Sequence, residues 1–389
     1  MRSNQKSGSN WTGVGVAAGS LETLAAPPVP AWRPVDHGRI PSLDGLRAIS
    51  ILFVILGHAA NTLPHPGGAA GSLLHGLTLI FGNGEMGVTV FFVLSGFLIT
   101  TLLVKEVRKT GEISIKGFYI RRAFRIWPAF YLMLAVVVLL GVTKTIPLTV
   151  GEVVSSGLFV WNYYPHGATW FLGHTWSLAV EEQFYLIWPL LLKFLGAGRA
   201  VWFAAGVIVL EPAVRVANYL LAPSMRGHIG IMGHTRADSL MIGALAALLY
   251  GNARFESVVN RLFAWHLPLA GGCFLLFVNP ILEETGRGAY MLSAGFLIQN
   301  CLITLIMLWA IQNSGRGLGK ILNSRVAVHV GMISYSLYLW QQMFLTPYNK
   351  TFSGVFPINI LCTVAVAEIS YWLVERSFLR WRARLVPEK

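Results

Sequence analysis

The chain has 389 residues, of which 54% are hydrophobic and 12% charged, and a formal net charge of +13. A soluble globular protein carries about twice that share of charge, and apolar runs recur here almost without interruption from residue 42 to residue 374, which excludes a string of soluble domains. The excess of Lys and Arg is what the cytoplasmic loops of a membrane protein carry, so no nucleic-acid partner is inferred.

Residues 1–38 are rich in Gly, Ala, Ser and Pro and read as a disordered N-terminal tail. They lack the apolar core of a secretory signal, so the first spanning helix must direct insertion. A bilayer crossing takes roughly 20 apolar residues. Ten windows qualify, at 43–63, 86–104, 126–143, 176–195, 200–222, 236–251, 263–282, 289–311, 326–346 and 355–374. The window at 150–164 is short and contains Glu152 and Asn162. If it does not span, both termini lie inside. In that case 24 of the 30 basic residues are internal, counting Arg47 at the inner mouth of the first helix. The other six, Lys144, Arg215, Arg226, Arg236, Arg287 and Lys350, fall outside. The positive-inside rule favours that arrangement. The predicted fold is therefore an all-α integral membrane bundle of about ten transmembrane helices, with both termini cytoplasmic. A non-spanning or re-entrant segment near 144–175 interrupts it. Residues 39–376 form the membrane domain and 377–389 a basic cytoplasmic tail. The expected location is the inner (plasma) membrane, in contact with membrane lipid.

Ionisable groups inside a bilayer cost about 2.5–3.5 kcal/mol each on insertion scales and so face a polar cavity or a partner. The first helix carries three of them, Asp44, Arg47 and His58. At about 100° per residue, Arg47 and His58 are separated by only ~20° of rotation and roughly 16 Å of rise. One edge of the helix thus links the cytoplasmic face with the outer half of the membrane. The alternative is that Asp44 and Arg47 pair at the interface while His58 bonds a neighbouring helix. The fourth window begins His174-Thr-Trp-Ser-Leu-Ala-Val-Glu-Glu-Gln-Phe-Tyr185. Running inward, it brings Glu181 to the depth of His58, which allows a carboxylate-oriented imidazole. A structural ion pair is the competing reading, and Glu182 must find another partner.

The segment 105–125 holds Lys105, Arg108, Lys109, Lys116, Arg121, Arg122 and Arg125. These residues set topology and attract anionic lipid, or they form a funnel for a polyanionic donor, because arginine grips phosphate bidentately. Ser95-Gly96 reads as a close-packing site, with a Ser95 nucleophile the alternative and Ser95 also a candidate to line a cavity. Trp176, Tyr185, Arg236, Asp238, Tyr335 and Gln341 are the other acceptor or cavity candidates. Arg236 and Asp238 either pair or line an acceptor site. Cys273, Cys301 and Cys362 are isolated, and the remaining histidines, His65, His75, His166, His228, His234, His266 and His329, show no ligand spacing, so no metal site is assigned.

Taken in order, several segments resemble acyltransferase family 3, membrane O-acyltransferases that acylate bacterial surface sugars and some macrolides. They are Ile40-Pro-Ser-Leu-Asp-Gly-Leu-Arg-Ala-Ile with Gly57-His58, Gly87 to Ile99, Phe118 to Pro128, His174 to Leu186, Arg236 to Leu240, Ile333 to Trp340, and Glu375. The resemblance implies that Arg47 and His58 form the family's Arg-x10-His element. It places Arg121, Arg122 and Arg125 in the basic motif and Glu181 in the acidic one. Gln341 departs from the pattern, since many members have His there, and Ser377 replaces a frequent Pro. The chain ends about a dozen residues after the last window, so the extra esterase-like domain of some members is expected to be absent.

The implied reaction moves an acetyl or other short acyl group from acyl-CoA, with acetyl-CoA the first candidate and no resident cofactor. The acceptor is a hydroxyl of a carbohydrate, either a surface polysaccharide or a lipid-linked sugar. A macrolide-like secondary metabolite is the alternative acceptor. Arg47, Arg121, Arg122 and Arg125 would hold the donor. His58 would act as general base or acyl carrier, positioned by Glu181, with Asp44 the third catalytic candidate. A transporter or flippase would also carry an intramembrane polar stripe. Oligomeric state is not readable.

Overall fold

A computed structural model describes residues 40–63, 68–164 and 169–385. The segment read as an N-terminal tail, and His65 and His166, lie outside the described residues. Lipid offers no partner for backbone amides, so long apolar segments close their hydrogen bonds within helices. Among the described residues every regular element is helical. The principal helices are α1 (Leu43–Ala60), α2 (Gly84–Thr110), α3 (Ile115–Val142), α4 (Thr175–Leu221) and α5 (Ala237–Leu249), followed by α6 (Phe296–Gln312), α7 (Arg325–Phe344), α8 (Ile358–Ser370) and α9 (Arg376–Leu385).

Polar caps set their ends. Asn83 accepts from the Met86 amide to open α2, Ser114 accepts from the Gly117 amide to open α3, and Gly111 closes α2 in the left-handed region. These are the capping groups that unpaired terminal N–H and C=O groups require.

Seven stretches are long and apolar enough to cross a membrane, so the chain is a multi-pass membrane protein. One of the seven, Trp170–Leu221, is broken at Gly196, whose φ of 68° and ψ of 164° leave the helical region. Its two arms coincide with the windows at 176–195 and 200–222. Ala237–Leu249 is a shorter apolar helix, and all ten sequence windows fall on helices.

Between α3 and α4, the described residues hold no helix longer than the eight residues of Val150–Gly157, well short of a crossing. Glu152 is buried there in a capping box with Thr149 and also accepts from the Thr169 amide. Residues 376–385 form α9, which packs on α3.

Glycine allows the closest crossings. A Cβ on Gly96 would lie 1.9 Å from the Leu240 carbonyl oxygen, and one on Gly331 would lie 2.0 Å from that of Asp44. The first contact joins α2 to α5 and the second joins α7 to α1. Small residues serve this purpose in membrane bundles, where backbone approach replaces a hydrophobic driving force. Overpacking costs about 1–3 kcal/mol, so Gly96→Ala is expected to lower the thermal unfolding midpoint in detergent. An unchanged midpoint would mean that the two backbones are not held in contact.

Candidate active site

Five helices converge on a polar interior. An inner chamber of about 90 Å³ is lined by Arg47 of α1, Phe92 and Ser95 of α2, Arg122 and Arg125 of α3, Ser177, Glu181, Glu182 and Tyr185 of α4, and Tyr335 and Tyr338 of α7. It adjoins a vestibule of about 1070 Å³. Arg47, Ser95, Arg122, Arg125 and Tyr185 line both spaces and mark the junction. The vestibule wall carries seven basic side chains against three acidic ones. Such an imbalance in a concave, weakly screened site focuses positive potential on an entering anion.

The close crossings position these groups. Gly96 presses on α5, so Ser95, about 100° round the helix, faces α4. There its hydroxyl donates to Glu181 Oε1 at 2.7 Å, and the Tyr185 hydroxyl donates to Oε2 at 3.2 Å. Arg47 and Arg122 both act on this carboxylate electrostatically. Arg47 also lies 3.8 Å from Asp44, which lines the vestibule. Arg121 pairs with Glu106 at 3.0 Å and faces only the vestibule, while Arg122 stacks over Phe118 and Tyr185. Tyr335 is fixed by donating to the Ile126 carbonyl at 2.9 Å. Glu182 has its own partner, accepting from Trp127 Nε1 at 3.3 Å.

His58 does not complete this chamber. It lines neither cavity, and its partner is Gln341, not Glu181. The expected carboxylate-oriented imidazole is therefore not formed, because Glu181 is engaged by Ser95 and Tyr185. Instead His58 Nδ1 lies 2.7 Å from Gln341 Oε1, and the ring meets Trp170 edge-on at 5.3 Å. With an amide oxygen facing it, an Nδ1–H tautomer fits this contact and leaves Nε2 as the nitrogen able to take a proton.

The chamber nevertheless ends close to His58. Tyr338 lines it, and Gln341 lies three residues further along α7, about 4.5 Å of helix axis. Between them stands a partition. Tyr338 bonds Ser177 at 2.5 Å and donates to the His174 carbonyl at 3.0 Å, and the His174 ring is held by Gln342 at 2.7 Å.

The sequence that gathers Arg47, Arg122, Arg125 and Glu181 around one chamber matches a known family. The family described as an acyltransferase domain covers residues 40–375. The chain belongs to this acyltransferase family. The peptidoglycan O-acetyltransferase OatA of Listeria monocytogenes is 30% identical over 363 residues, covering 86% of this chain and 55% of that protein. The O-acetyltransferase OatA of Staphylococcus aureus is 28% identical over 361 residues, covering 86% and 56%. A third protein, from Staphylococcus aureus strain COL and provisionally named an O-acetyltransferase, is 29% identical over 384 residues, covering 90% and 60%. The chain thus spans less than two thirds of the length of these relatives. No solved structure matches it.

Within the acyltransferase bundle, three other expectations require correction. Arg236 and Asp238 neither pair with each other nor line the two cavities. Asp238 binds Arg215 at 2.8 Å, and Arg236 binds Glu85 at 3.3 Å and Thr89 at 2.7 Å. Trp176 packs edge-on against Phe92 at 5.8 Å instead of facing either cavity. Gln341 stands behind His58, buried and outside both spaces. Sequence reasoning missed Trp170, Ser177, Tyr338 and Gln342. The three-residue spacing of Tyr338 to Gln341 and the four-residue spacing of Ser177 to Glu181 place each on the face of a residue already singled out.

Proposed function

We propose that the protein is an O-acyltransferase that moves an acetyl group from acetyl-CoA to a hydroxyl of a cell-surface carbohydrate. The observation that carries this reading is the arginine-lined vestibule opening into a small chamber whose Tyr338 stands about one helical turn from Gln341, the partner of His58. The basic wall fits a donor carrying several phosphates, with Arg121, Arg122, Arg125 and Arg47 holding them bidentately. The chamber of about 90 Å³ suits a short acyl group at the thioester end. We place the vestibule on the cytoplasmic side of the plasma membrane, where basic loops collect, and both termini with it.

In this mechanism the acceptor hydroxyl gives its proton to His58 Nε2 and its oxygen attacks the thioester carbonyl. The C–O bond forms, the C–S bond breaks, and the proton passes to the departing CoA thiolate. The hydroxyl and the thioester meet only if the Ser177–Tyr338 bond opens, so the partition separates the two substrates until both are bound. The name of the Listeria relative, a peptidoglycan O-acetyltransferase, supports a saccharide acceptor.

The test is transfer by the purified full chain from labelled acetyl-CoA to peptidoglycan-derived saccharides. CoA release should match the acetyl ester found on the sugar by mass spectrometry. Absence of CoA release with every saccharide tried, under conditions where the chain stays folded, refutes the assignment.

A further inference from the structure

Helix α9 carries four arginines that do not share one face. Arg376, Arg380 and Arg384 recur every fourth residue and lie within about 80° of one another, whereas Arg382 lies about 160° from Arg380 and Arg384. The three aligned arginines are exposed, and Arg382 is half-buried. Arg382 sits on the apolar side with Leu379 and Leu385, and these three residues are the ones through which α9 lines the vestibule. Charge on the exposed side is accounted for by topology and the anionic membrane surface. Arg382 is set apart from the three aligned arginines by facing the vestibule.

The helix that presents Arg382 is firmly seated. Glu375, at its base, is buried and accepts from the Ser336 hydroxyl of α7. One turn later, Phe378 packs against Phe124 of α3 with ring centroids 6.2 Å apart. That same helix α3 carries Arg121, Arg122 and Arg125, so its packing on α9 sets Arg382 in the lining of the same vestibule.

We infer that Arg382 is a further phosphate-binding residue, and that α9 is the wall of the vestibule that faces α3. The ligand class is a nucleotide carrier bearing more than one phosphate, and identifying it as the acyl donor rests on the function proposed above. Arg122 and Arg125, which also line the chamber, hold the end of the carrier near the reacting group. Arg382 faces the vestibule alone, so it binds phosphate farther from the thioester.

The experiment is titration calorimetry of CoA, and of pantetheine as the phosphate-free control, into the full chain in detergent. Losing one charge-assisted hydrogen bond is expected to weaken CoA binding about tenfold in Arg382→Gln. Pantetheine binding should not change. Arg384→Gln, on the exposed side, should bind CoA like the wild type, and Arg382→Lys should recover most of the loss. The inference is overturned if Arg382→Gln binds CoA normally, if Arg384→Gln loses as much, if Arg382→Gln weakens pantetheine equally, or if the wild type binds no CoA. CoA binding that depends on Arg382 in a protein that transfers no acetyl group upholds the phosphate site and refutes only the proposed reaction.

Discussion

His58→Ala is expected to reduce acetyl transfer by about 10²–10⁴-fold, the contribution of a positioned general base, while CoA binding stays at the wild-type level. The separation of the two effects follows from geometry. His58 lines neither the chamber nor the vestibule, so removing its ring leaves the arginine wall untouched. In the proposed mechanism its chemistry depends on Gln341, whose side-chain oxygen 2.7 Å from Nδ1 would hold the proton there and leave Nε2 as the acceptor. Gln341→Ala should therefore lower the rate by less than His58→Ala, because the imidazole remains but its tautomer is no longer set. In the double variant the Gln341 change should add nothing, since it acts only through the missing ring. Transfer at the wild-type rate by inserted His58→Ala protein would remove the base from the mechanism, and an additive double variant would give Gln341 a separate role.

Much of this arrangement was legible in the sequence, for reasons that differ between residues. The helices were visible because a bilayer imposes a minimum apolar length, and every window falls on one. Arg47 and Glu181 were costly in lipid and so demanded a polar interior, Arg122 and Arg125 belonged to the basic segment read as a donor funnel, and one chamber accommodates all four. Partner choice was not legible. Helical rotation gives the face of α1 on which His58 lies but not which of two facing helices reaches it. The opposing side chain is Gln341 of α7, 283 positions away, and not Glu181 of α4. Arg236 and Asp238 fail differently. Two residues apart at the start of α5, they point about 160° from each other, so each had to find its partner elsewhere. Arg382 could have been singled out by turn counting alone, but only the packing of α9 on α3 and the vestibule it lines give its position a meaning.

Asp238→Ala is expected to cost about 3–5 kcal/mol of stability, as removal of one member of a buried ion pair does. Arg215 and Asp238 are both fully buried, 2.8 Å apart. Arg215 is further tied to the carbonyls of Leu292 and Thr235 and lies over the Phe296 ring at 5.2 Å, contacts that hold it in its buried place when Asp238 is lost. Asp238→Asn keeps an acceptor oxygen and should cost less. Replacing both members by apolar residues of similar size should recover part of the loss, because the desolvation of two charges is then avoided. The consequence for activity is indirect. Asp238 opens α5, whose Leu240 and Gly243 lie against Gly96 and Val93 of α2, and α2 carries the Ser95 that holds Glu181. Loss of transfer should therefore track loss of folded protein in thermal unfolding, with the rate per folded molecule nearly unchanged at low temperature. A stably folded Asp238→Asn protein that binds CoA but transfers nothing would contradict this, and would return Asp238 to the acceptor site where its position on the outer end of α5 first suggested it.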